Sequence, residues 1–168
     1  MKTIRATAVF LVLCGVFLCA ACGVQAQRDD FLPDRDFTRS FTLTKGDFTC
    51  GGTVVCRAYN DIRVEFSYPE GLSYFNVRVT AEDLQAQVGD VSDALLLEEL
   101  PEDSALKLFV NALRTFVFTS VDYTEKDGEV TCTATLAQLT LQGTFSPEGE
   151  LRRIACEENG LTVEFLTE

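Results

Sequence analysis

The 168-residue chain has no histidine, no tryptophan, a single methionine and only four prolines. Without imidazole it cannot run a Ser-His-Asp or Cys-His nucleophile system, nor build an H-E-x-x-H zinc site. Without tryptophan, and with only four tyrosines, it has little to stack on a sugar ring. Positive charge is also scarce, at 14 Lys and Arg against 26 Asp and Glu, a net charge of -12. Such a chain repels phosphate backbones, which excludes nucleic acid as a partner. Gly51-Gly52 lacks the Lys-Ser/Thr that a phosphate loop needs, and its place within a strand marks a bulge or sharp bend. The Ser and Lys residues are read as carrying no nucleophile–base motif. Glu98-Glu99 and Glu157-Glu158 read as solvated turns or helix ends rather than as a catalytic acid pair. No enzyme and no cofactor are expected. What is present is 46% hydrophobic and 24% charged sequence, enough for the core of one domain.

Residues 1–21 read as a signal peptide. Lys2 and Arg5 form a short positive start, and Ala6 to Ala21 is an uncharged apolar run of about 16 residues, short of the roughly 20 that span a bilayer. Leu18-Cys19-Ala20-Ala21-Cys22-Gly23 resembles the lipobox of bacterial lipoproteins, which implies cleavage before Cys22 and lipid attached to it. Cys19 departs from that pattern. Val24-Gln25-Ala26 offers an alternative small-x-small site, cutting before Gln27 and giving a secreted protein. The lipobox reading is favoured, and either places the domain outside the cytoplasmic membrane. Removing residues 1–21 takes Lys2, Arg5 and no acid, leaving 12 basic against 26 acidic side chains, or -14. That charge suits a monomeric exported domain and disfavours adhesion to an anionic surface, so the membrane is a partner only through the lipid anchor. Residues 22–40 read as the lipidated cysteine and a solvated tether. Asp29, Asp30, Asp34 and Asp36 lack the spacing of a calcium loop.

Cys50, Cys56, Cys132 and Cys156 remain in the domain. An even number in an exported chain permits two disulfides. Cys50 and Cys56 fall in one expected strand, roughly 20 Å apart, so bonds would have to cross to Cys132 and Cys156. Free buried thiols used as small hydrophobes are the other reading. No spacing suggests a metal site.

From Phe41 the pattern has period two. Ile62, Val64 and Phe66 alternate with Arg63 and Glu65, and Phe75, Val77 and Val79 alternate with Asn76 and Arg78. The parity shifts at Glu82-Asp83 and again at Ala137-Gln138. Lys126-Asp127-Gly128 is a hairpin turn. About nine or ten antiparallel strands are expected. Leu106, Phe109, Val110, Leu113, Phe116 and Val117 instead fall at helical spacing, with Lys107, Asn111 and Arg114 opposite and Asp103 or Ser104 as cap. The helix is expected to run about four turns. Ser92 to Leu100 fits either a helical turn or a loop.

Strands, one helix, then strands again, with "GDFTCGGTVVC", "IRVEFSYPEGLSYFNVRVTAEDLQAQV", "LKLFVNALRTF", "GEVTCTATL" and "LTLQGTFSPEGELRRIAC" in that order, resemble small lipoproteins of the LolA-like lipoprotein-carrier superfamily over residues 41–168. The resemblance implies an α+β, mainly β fold. A strongly curved antiparallel sheet, an incomplete β-barrel, would wrap around one central amphipathic helix. It also implies a cavity for acyl chains or other lipidic groups. Val64, Phe66, Val77, Val79, Phe109 and Leu113 are the candidate lining. The expected function is a non-enzymatic binding or carrier domain for a lipid-like ligand. The alternative is a structural or protein-interaction module of the cell envelope with a filled core and an envelope protein as partner.

Overall fold

Where apolar and polar residues alternate, one face of an extended segment sheds water and the other keeps it. In the computed structural model, which describes residues 26–80, 83–136 and 138–166, twelve strands among the described residues form one antiparallel sheet. They are β1 (Ala26–Gln27), β2 (Phe37–Lys45), β3 (Phe48–Ala58), β4 (Asp61–Tyr68), β5 (Phe75–Val79), β6 (Asp83–Val88) and β7 (Val91–Leu96), then β8 (Tyr123–Lys126), β9 (Glu129–Leu136), β10 (Leu139–Phe145), β11 (Leu151–Cys156) and β12 (Leu161–Phe165). The sheet order is β1-β8-β9-β10-β11-β12-β2-β3-β4-β5-β6-β7, so β1 and β7 are its edges and it is not closed. Asp127 and Gly128 both have positive φ, the backbone that a two-residue hairpin of right-handed twist requires. The register slips at Gly51/Gly52, where the glycine pair reads as a bulge.

Among the described residues one α-helix, α1 (Ala105–Leu113), is continued by a wider π turn over Arg114–Phe118. Ser104 caps it, its Oγ accepting from the Lys107 amide at 3.3 Å. The apolar stripe is buried against the sheet: Phe109 lies 5.1 Å from Phe41 and 6.1 Å from Phe165 between ring centres, and Phe116 lies against Gly143. No helix among the described residues is long and apolar enough to cross a membrane.

Two expectations are corrected, those for Lys107 and Arg114 and for the tether, and two readings left open by the sequence, for Ser92 to Leu100 and for the cysteines, are decided. Lys107 and Arg114 are buried, not on an open face. Lys107 donates to the carbonyls of Glu98 and Leu100 and to Glu102 Oε1, at 3.1, 3.0 and 2.8 Å. Arg114 donates to the carbonyls of Tyr59 and Thr80. Each charge thus satisfies loop carbonyls at the helix flank instead of meeting bulk water. The expected tether is ordered from Ala26 onward. β1 pairs with β8, Phe31 packs 4.7 Å from Tyr123 and 5.5 Å from Phe145, and β2 begins at Phe37. Ser92 to Leu100 divides into strand β7 and a 3-10 turn over Leu97–Glu99. All four domain cysteines are free and buried, the small-hydrophobe role rather than the disulfide one. The signal peptide, Cys22 and the parity positions Glu82 and Ala137 lie outside the described residues.

Candidate functional site

Residues directly opposite in an antiparallel ladder place their side chains on the same face. Phe165 is opposite Phe41, Phe41 opposite Gly52, and Gly52 opposite Phe66. The Phe66 ring stacks on Phe75 at 5.6 Å, Phe75 is opposite Val88, and Val88 is opposite Val91. A single apolar row therefore crosses β12, β2, β3, β4, β5, β6 and β7. It starts buried under α1 at Phe165 and Phe41 and ends in water, with Val88 56% and Val91 72% exposed.

At the edge of the covered part lies a pocket of about 110 Å³, lined by Leu43, Phe48, Cys50, Phe66, Leu72, Phe75, Ala105 and Leu106. Every lining side chain is apolar. It is smaller than the roughly 150 Å³ apolar cavity that holds one benzene. Of the six candidate lining residues only Phe66 borders it. Val64, Val79, Phe109 and Leu113 are fully enclosed in packed core, and Val77 is nearly so. The space between helix and sheet at these residues is filled with side chains.

The residues that do line the mouth were missed because they come from separate places. Phe48 opens β3, Leu72 sits in the short helical turn after Pro69, and Leu106 lies in the first turn of α1. Cys50 and Phe75 continue alternations that were legible, and Leu106 belongs to the legible helical stripe, but no pattern brings them together. A larger recess of about 410 Å³ opens on the other face, bordered by Arg63, Glu65, Asn76, Arg78, Gln85, Gln87 and Ser92 and also by Val77, one of the six candidates, and Ala86. There Arg63 and Arg78 stand opposite each other across β4 and β5, with Asp61 Oδ1 3.5 and 3.7 Å from their Nε atoms. It is a polar outer face held by its own ion pairs.

The reactive groups are quiet. Ser104 and Lys107 do have a Ser-x-x-Lys spacing, which the sequence reading overlooked, but Ser104 caps the helix and the Lys107 ammonium is occupied by carbonyls and Glu102. Glu158 lies on a short helical turn, where backbone N–H groups hold its carboxyl below the usual range, the wrong direction for a general acid. Among the described residues no three His, Cys, Asp or Glu gather as metal ligands.

Burial pushes the thiols of Cys50 up to about 11 and of Cys56 and Cys132 up to about 12. An unfolded thiol ionises near 9, so between that pH and about 12 the folded chain holds protons that the unfolded one has lost. Stability from this source is intact below pH 9 and falls as pH rises above it. Iodoacetamide at pH 7.5 is expected to leave these three thiols unmodified in the native protein and to alkylate them in urea. Rapid native alkylation of Cys56 or Cys132 would contradict their burial. No protein-family model matches this sequence, and no curated protein matches it.

Proposed function

We propose that this chain is a non-enzymatic, lipid-anchored extracytoplasmic domain with a LolA-like half-barrel, and that it holds an apolar group of a partner at the mouth rather than enclosing a whole lipid. The half-barrel is supported by what the π turn continuing α1 reaches. Phe116 lies against Gly143 of β10, while Arg114 bonds the carbonyl of Thr80 just after β5. Those strands are six places apart in the sheet, about 29 Å if it were flat. A helix some 10–12 Å wide touches both only if the sheet bends around it. The observation that carries the binding reading is the filled interior behind an apolar mouth. A buried core leaves room for a side chain or the end of an acyl chain, and for no more.

The carrier reading keeps one observation in its favour: the row Phe75–Val88–Val91 runs uncovered away from the mouth, where an acyl chain has a surface to lie on. A photo-crosslinker separates the two. Phe48 replaced by p-benzoylphenylalanine, in the exporting cell, is expected to form an adduct with an envelope protein, and Arg152 on the outer face is expected to form none. An adduct with lipid alone favours the carrier. No adduct at Phe48 overturns both.

A further inference from the structure

The direction of the mouth follows from where the anchor leaves the fold. The pocket sits at the start of α1, between Ala105, Leu106 and Phe48. The described residues begin, at Ala26, toward the other end of that helix. Tyr123 Oη donates to the Phe116 carbonyl at 2.9 Å, fixing β8 to the helix's last turn. β8 runs on from Tyr123 away from that contact, and Ala26 pairs with Glu125, two residues farther along. Leu106 to Phe116 is a rise of about 15 Å along the helix. The two residues from Tyr123 to Glu125 add about 7 Å. Three further ties hold this end: Arg28 N to the Tyr123 carbonyl at 2.9 Å, Arg28 to Glu125 at 2.5 Å, and Phe31 in the Tyr123–Phe145 cluster.

Four chain steps separate Cys22 from Ala26, which reach at most about 14 Å fully extended. A lipid on Cys22 therefore keeps the end of the domain that carries β1 close to the bilayer and leaves no slack for the domain to turn over. Resting on the reading of Cys22 as the acylated residue, we infer that the domain stands with the helix's C-terminal end toward the membrane and its apolar mouth facing away from it. The group the mouth takes is then an apolar side chain presented by a protein in the aqueous compartment or on a facing envelope layer. It is not a lipid drawn from the membrane that holds the anchor. The net charge of -14 agrees with this, because an acidic domain is repelled by the anionic surface beneath it and is held there by acylation alone.

The absence of tryptophan makes the test clean, since each variant carries one reporter. Leu32→Trp marks the membrane end, where Leu32 is 76% exposed beside the 119–123 segment, and Phe48→Trp marks the mouth, 49% exposed. The full chain, processed in an exporting host, is placed in phosphatidylcholine vesicles containing dansyl-phosphatidylethanolamine. Loss of tryptophan emission by transfer to dansyl is expected for Leu32→Trp and a much smaller loss for Phe48→Trp. Equal loss, or greater loss at Phe48, overturns the inference while leaving the lipoprotein reading in place. A mass that shows Cys22 without lipid overturns both.

Discussion

Gly52→Ala is expected to lower stability by about 3 kcal/mol or more, read as a fall in the urea midpoint. A Cβ at Gly52 falls on the Glu65 carbonyl oxygen and 2.8 Å from the Phe66 Cα, all backbone, so no flexible side chain can move aside. The methyl must push β4 away from β3. Phe41 and Phe66, which flank Gly52 in the cross-strand row and meet edge-to-face at 5.9 Å, are forced apart by the same step. The variant should therefore lose the mouth along with its stability. An unchanged midpoint would mean that the bulge at Gly51/Gly52 does not hold the two strands as closely as described.

Phe109→Ala is expected to cost about 3–5 kcal/mol, the usual range for truncating an enclosed phenylalanine. Phe109 is fully buried between Phe41 and Phe165, at the centre of the interior that separates a packed module from a carrier. Its removal opens an apolar cavity at a place where the described side chains are packed. Benzene should then raise the melting temperature of the variant, by ordinary linkage, and leave that of the native protein unchanged. A native protein stabilised as strongly as the variant would already contain such a cavity. If the variant does not fold, the native protein's response to benzene still decides the point.

Much of the sheet was legible because burial on one face writes itself as period two. Ile62, Val64 and Phe66, or Val130 and Cys132, show it without interruption, and each faces the core. The edge strand β7 was not legible. Val91-Ser92-Asp93-Ala94 mixes polarities because nothing covers either face, so no alternation is imposed. Phe31 and Phe37 were hidden by the four aspartates and Pro33 around them, and a segment with two deeply buried rings read as a tether. Lys107 and Arg114 were placed outward because periodicity scores a charge as solvent-facing. A long side chain instead buried its stem and gave its donors to loop carbonyls. Five of the six candidate lining residues point inward into packed core, and only Phe66 reaches the apolar pocket. Whether an inward face meets a ligand or another side chain depends on volumes summed over distant segments, and that sum is not written in any one of them.

A filled native interior that binds only at its mouth leaves no place for an enclosed lipid. Native mass spectrometry of the full chain purified from an exporting host tests it most directly, followed by organic extraction of the same sample. The expected result is the mass of the processed chain with its covalent lipid on Cys22, no further adduct, and no uptake of added fatty acid or phospholipid into the interior. A stoichiometric non-covalent lipid that survives purification and appears in the extract would contradict it.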